Sequence, residues 1–238
     1  MRMHAGYDIV LTSGEDCRPA YAEAFGTALE KVLVAPLTRV DHLINPDRVG
    51  ATRERVYSAY PGLAQQRVAV YAPTFRLDGT VTVDVAELND ALGAMGIHLV
   101  VKLHPLMHGH FGAGVDVAEG FSTQEMLTVA DLLITDYSSA LYEAALAGVP
   151  SYFLTPDIEE YLAARDFYLD YARDLPGPIV RTIDELTAAV ATGAASVDDA
   201  DAFARRWVQV PDGTGATRCV DKIATVVLER VAAGSAKA

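Results

Sequence analysis

Three stretches of this 238-residue sequence gather the side chains that could handle a charged ligand. The richest reads Leu132-Leu133-Ile134-Thr135-Asp136-Tyr137-Ser138-Ser139-Ala140-Leu141-Tyr142-Glu143. Its apolar start is expected to be a buried strand that runs into a tight turn, with a helix opening at Ser138 or Ser139. A helix start presents free N–H groups and the positive end of the helix dipole. With two hydroxyls beside them, these groups make a phosphate site that needs no glycine-rich loop. The plainer reading is that both serines are ordinary N-caps. Asp136 belongs to the same candidate set. Glu143 follows Ser139 by one helical turn and could accept hydrogen bonds from a ribose diol, or simply face solvent.

The second stretch is Tyr71-Ala72-Pro73-Thr74-Phe75-Arg76. A strand ends in a proline turn and then offers a hydroxyl, Thr74, and a guanidinium, Arg76, that could grip a phosphate with two parallel N–H groups. A solvated arginine beside a turn would look the same. The third is Val101-Lys102-Leu103-His104-Pro105, where strand alternation puts Lys102 and His104 on one side. Lysine supplies charge to a diphosphate and histidine a hydrogen-bond donor or a proton. Otherwise His104 merely ends the strand against Pro105. His108 and His110 invite a metal reading, but no Cys, Asp or Glu completes a ligand set at motif spacing, so no metal is expected.

The elements that must hold these groups alternate along the chain. Apolar β-rich runs are expected as strands at 7–12, 31–35, 67–72, 97–103, 132–135 and 151–154. Helical patterns cover 18–28, 48–60, 85–95, 123–130, 139–147, 183–191 and about 217–231. The strands read as continuous apolar runs, the pattern of a parallel sheet covered on both faces. The result is a doubly wound α/β fold, in which ligands lie beyond the carboxyl ends of the strands. Pro61-Gly62 is the expected domain joint, separating residues 1–60 from 61–238. Residues 193–201, small and acidic, read as a loop.

Composition sets the outer limits. Half the residues are hydrophobic (51%) and 21% are charged, which supports a sizeable core and excludes general disorder. The formal net charge of −13 argues against nucleic acid and against charge-driven membrane binding. Cys17 and Cys219 form no C-x-x-C, which excludes a zinc ribbon or disulfide scaffold and suits the cytoplasm. The first residues show no signal-peptide core, and the run from Leu127 to Leu154 is broken by Asp131, Asp136 and Glu143, so no transmembrane span is expected.

The ordered set of Tyr71–Arg76, Lys102-Leu103-His104-Pro105, Asp131–Ser139 and Pro176-Gly177-Pro178-Ile179-Val180 resembles the CDP-glycerol glycerophosphotransferase family, the teichoic-acid primases and polymerases. Thr38-Arg39-Val40-Asp41 and Asp212-Gly213 look like further landmarks, and the resemblance runs from about Tyr7 to Arg230. It implies a GT-B fold of two Rossmann-like halves and transfer of glycerol phosphate from CDP-glycerol to an acceptor hydroxyl, with release of CMP and no cofactor. It places His104 near the donor phosphates as the catalytic residue. Thr74, Arg76, Lys102, Asp136, Ser138, Ser139 and Glu143 become donor-binding residues. The family's earlier His-Gly-Thr-Pro segment has no counterpart here, so residues 1–60 are expected to be a remnant of a largely missing N-terminal half. Truncation, a misassigned start, a degenerate gene and a split enzyme whose N-terminal half is a separate polypeptide are the alternatives. A teichoic-acid-type acceptor and a peripheral position at the inner face of the cell membrane also follow from the family. Two other readings remain open. One is a GT-B glycosyltransferase using a nucleotide sugar, suggested by Glu143–Pro150. The other is a nucleotide-binding module without turnover.

Overall fold

The computed structural model of the chain describes residues 4, 6–74, 76, 81–102, 115–164, 167, 169–208 and 215–235. It divides into two compact units: Met1–Asn45 with Ala204–Ala238, and Pro46–Phe203.

The first unit begins β1 (Val10–Thr12), α1 (Arg18–Phe25), β2 (Val32–Val34) and α2 (Asp41–Ile44). β1 and β2 pair in parallel, Val10 opposite Val32 and Thr12 opposite Val34. The chain returns to this unit at Ala204 and stays in it through its last helix. There the Asp41 carboxylate accepts hydrogen bonds from the backbone N–H groups of Gly215 and Ala216, both at 3.1 Å. These are two of the donors that a helix start leaves unsatisfied, and an anion is favoured at that end.

The second unit contains α3 (Pro46–Ala59), β3 (Arg67–Ala72), α4 (Val85–Ala94), β4 (Ile97–Val101), α5 (Thr123–Leu127), β5 (Leu132–Thr135), α6 (Ala140–Leu146), β6 (Ser151–Leu154), α7 (Ile158–Ala164), α8 (Tyr171–Asp174), β7 (Ile179–Val180) and α9 (Ile183–Thr192). α10 (Val197–Trp207) carries the chain across the unit boundary after Phe203, and α11 (Gly215–Ser235) ends the described residues. The sheet is all parallel in the order β4-β3-β5-β6-β7. Its two faces follow strand alternation. Ala69, Tyr71, Leu99 and Ile134 pack with Leu88 and Leu92 of α4 and Leu186 of α9. Val68, Val70, Val100 and Leu133 pack with Val56 of α3, Met126 of α5 and Ala144 of α6. Both faces are therefore covered by helices, as a doubly wound sheet requires.

Two expectations meet a different outcome. Residues 193–201 are not all loop, since α10 starts at Val197. Ser196 Oγ accepts a hydrogen bond from Asp199 N at 3.1 Å, a serine cap whose acidic first turn suits the helix dipole. Pro61-Gly62 lies inside the second unit, because Val56 and Leu63 on either side of it enter the same core cluster as Val68. The units instead part at Asn45-Pro46, where a proline opens α3.

Candidate functional site

In a parallel sheet every strand ends on the same edge. The register sets Ala72 of β3 beside Thr135 of β5, and Thr135 beside Phe153 of β6. The Thr135 hydroxyl donates to Ala72 O at 2.8 Å and ties the first two strand ends together. The turns that follow these strands are thus neighbours at the carboxyl edge, where an open α/β sheet binds its ligands.

Asp136 is the hub of that edge. It is buried, 4% exposed, and its Oδ1 accepts from Thr74 N (2.7 Å), Thr74 Oγ1 (2.6 Å) and Tyr137 N (2.6 Å). Its Oδ2 accepts from Arg76 at 3.2 Å. Burial pushes its pKa upward, and the bonds from Thr74, the Arg76 charge and the Tyr137 amide oppose that push. The same Arg76 nitrogen reaches Asp157 Oδ2 at 3.0 Å, in the turn between β6 and α7. The guanidinium lies 5.3 Å from the ring centre of Tyr137 and 5.2 Å from that of Tyr161, and these two rings stack 3.7 Å apart. Tyr137 OH donates to Asp157 Oδ1 at 3.0 Å, and Tyr171 OH to Asp136 O at 2.8 Å. One cation thus faces two carboxylates in a half-buried aromatic box. Thr74, Arg76 and Asp136 bond chiefly to one another and fix the geometry of three adjacent turns.

The start of α6 stands in the same turn as Asp136. Ser138 is half-buried and its Oγ accepts from Ala140 N at 3.2 Å. Ser139, the N-cap residue, is exposed and makes no side-chain cap. Glu143 does not face solvent: it is 7% exposed and accepts from Gln124 Nε2 of α5 at 2.8 Å.

Lys102 follows β4. Its Nζ donates to Val117 O at 3.3 Å and Ala118 O at 3.0 Å. Burial lowers its pKa from the ordinary lysine value, against the pull of Glu125, Asp116 and Glu119. Ala118, fully buried, has φ of 42°, in the left-handed region that costs an L-residue about 1–2 kcal/mol. Its amide donates to Asp116 Oδ1 at 2.8 Å, so a strained turn is held from both sides where the lysine ends. His104, His108 and His110 lie outside the described residues, and no metal-ligand cluster occurs among the described ones.

The structure therefore joins Thr74, Arg76 and Asp136 in one network and puts Ser138 and Ser139 in the adjoining turn. It anchors Lys102 to the 117–118 turn and Glu143 to α5. Sequence reasoning missed Asp157, Tyr137, Tyr161 and Tyr171. Asp157 had a signal, since it follows the strand Ser151–Leu154 by the same rule that singled out the other strand ends.

Residues 1–225 match the family model of CDP-Glycerol:Poly(glycerophosphate) glycerophosphotransferases. The chain belongs to that family. Among its relatives is a teichoic acid poly(ribitol-phosphate) polymerase of Bacillus spizizenii, 32% identical over 92% of this chain and 38% of the relative. The teichoic acid ribitol-phosphate primase of the same organism is 29% identical over 94% of this chain and 60% of the relative. The fold matches the solved wall teichoic acid polymerase TagF with a TM-score of 0.75 at 24% identity, over 97% of this chain and 60% of that one. The α/β architecture expected of a glycerophosphotransferase-family member is thus present, and this chain spans roughly 40–60% of the length of those relatives. No helix among the described residues is long and apolar enough to cross a membrane.

Proposed function

We propose that the chain is the donor half of a phosphotransferase that moves glycerol phosphate from CDP-glycerol to a hydroxyl of a teichoic-acid-type acceptor. The observation that carries this reading is the family match over residues 1–225. The gathering of the motif turns at one carboxyl edge supports it.

In this reading the donor diphosphate lies over the start of α6, against the hydroxyls of Ser138 and Ser139. Lys102 offsets its charge from β4. Thr74 and Arg76 run along the nucleotide, with Asp136 holding both in place and Glu143 near the ribose. The acceptor oxygen attacks the phosphorus that carries glycerol. The bond from that phosphorus to the bridging oxygen breaks, and the electron pair leaves on CMP. His104 and the helix start absorb the charge of the departing CMP. The acceptor proton passes to a base outside residues 61–238, in an N-terminal half of the GT-B fold that the first unit would complete. The family's work at the inner face of the cell membrane makes a peripheral position the expected one.

CDP-ribitol is a second donor to try, because two relatives, 32% and 29% identical to this chain, are named for ribitol phosphate. The test is CMP release from CDP-glycerol and CDP-ribitol with a glycerol-phosphate-primed acceptor, by the chain alone and with a relative's N-terminal half added in trans. His104→Ala should cut any turnover by roughly 10²–10⁴-fold. Turnover with UDP- or GDP-sugars in place of CDP-polyols would favour the glycosyltransferase reading. Donor binding with no turnover in any combination would leave only a nucleotide-binding module.

A further inference from the structure

The first unit holds an open cavity of about 410 Å³. That is within the range of roughly 300–1,000 Å³ typical of small-molecule sites. We infer that it binds phosphate esters of a polyol-phosphate chain, at a site separate from the donor edge of the second unit. The choice of a polyol phosphate rests on the proposed function; the cationic cavity stands without it.

Arg18 of α1, Arg205 and Arg206 at the end of α10, and Lys222 of α11 line the cavity together with strand β2 and Val208, and among the described residues Glu15 is the one carboxylate in the lining. In a chain of net charge −13, four cations from three separate segments run against the composition. Two are held in place. Arg18 donates Nε to Val32 O at 2.7 Å, one terminal nitrogen to Leu29 O at 3.1 Å and the other to Glu15 at 3.0 Å. Arg206 pairs with Asp16 at 3.0 Å and lies 4.6 Å from the centre of the Trp207 ring. A guanidinium has five N–H groups, so Arg18, with three of them engaged, keeps donors to offer and loses little side-chain entropy on binding.

Two further features point to a purpose-built space. A Cβ on Gly14 would lie 2.6 Å from Trp207 O, so only glycine lets the β1–α1 turn close against the end of α10 and bring these walls together. α11 also leaves large apolar side chains exposed beside the exposed Asp221 and Glu229. Val220, Ile223, Val227 and Leu228 on it are 43–67% exposed, while Lys222 lies over the cavity. The cations in the lining disfavour a cationic ligand, and its apolar strand residues Val32, Leu33 and Val34 suit the carbon skeleton between charges. Phosphate esters meet arginine and lysine through charge-assisted hydrogen bonds. A polyol-phosphate chain carries one such charge per unit, so several could engage the four cations together.

The test is titration of the intact chain with a synthetic six-unit oligo(glycerol phosphate). Inorganic phosphate and phosphatidylglycerol vesicles are parallel arms, and CDP-glycerol is both a separate titrant and a competitor. Saturable binding of the oligomer is expected, weakened about tenfold by Lys222→Glu and about threefold by the milder Lys222→Gln. CDP-glycerol should not displace it. Melting curves establish that both variants fold, and Lys222→Gln decides if the charge reversal does not. Unchanged affinity in the folded variants, displacement by CDP-glycerol, or binding confined to inorganic phosphate or to vesicles would overturn the inference. Failure of CDP-glycerol to bind while the oligomer binds would overturn the proposed function and leave the cavity standing. The reverse pattern would overturn the cavity alone.

Discussion

The second unit covers its sheet on both faces and ties its strand ends into one polar network, whereas the first pairs two strands of three residues each. A parallel sheet is stable when helices cover both faces, and a two-stranded one is marginal alone. The surface tells the same story. In the second unit the exposed large apolar side chains among the described residues are Leu162 and Val197. The first unit exposes Tyr7, Tyr21 and Leu29 as well as the four on α11. The contrast teaches that motif-bearing turns need a finished sheet to hold them, and that the first unit leaves more of its large apolar side chains in solvent.

Breaking the network at the hub should have the largest effect. Asp136→Ala leaves the Thr74 and Tyr137 donors without their acceptor and strips Arg76 of one of its two carboxylates. It should cost about 3–5 kcal/mol in denaturant unfolding. A matched pair of glycines sharpens the comparison between the units. A Cβ on Gly177 would lie 2.0 Å from Ser151 O within the finished sheet, against 2.6 Å from Trp207 O for Gly14 in the smaller unit. Gly177→Ala should cost about 3 kcal/mol and Gly14→Ala about 1–2, because the Cβ at 14 overlaps the opposing backbone less deeply. Equal costs would mean that the depth of overlap does not decide. Ala118→Gly should stabilise by about 1 kcal/mol, since glycine adopts φ of 42° without the Cβ penalty.

The smallest expected effect is on a proton. Folding lowers the Lys102 pKa, so the unfolded chain binds that proton more tightly. Stability should therefore rise with pH between the lowered value and the ordinary lysine value, and Lys102→Met should abolish that rise. Acetic anhydride labelling across the same range should show Lys102 becoming reactive below the ordinary lysine range.

Much of this was legible in the residues, for identifiable reasons. β3, β4, β5 and β6 read as unbroken apolar runs because both their faces are buried, and that pattern survives in a single sequence. The strand-end rule found Thr74, Arg76 and Asp136 for the same reason. What it could not read was where the side chains turn. Arg76 was expected to offer its charge to a ligand, yet it meets Asp157, which lies 81 positions away and leaves no local trace. The spacing offers Glu143 either to a ribose or to solvent, because its partner Gln124 sits on another helix. α10 was hidden by composition, since small and acidic residues resemble a loop until Ser196 is seen to cap them.

The central claim is that the carboxyl edge of the second unit holds a CDP-linked polyol. Isothermal titration of the 238-residue chain with CDP-glycerol and with UDP-N-acetylglucosamine, repeated on Ser138→Ala, addresses it directly. The expected result is one saturable site for CDP-glycerol, weakened by about 1–3 kcal/mol when the hydroxyl is removed, and no comparable heat from the UDP-sugar. Equal binding of both nucleotides, or CDP-glycerol affinity unchanged in Ser138→Ala, would contradict the account.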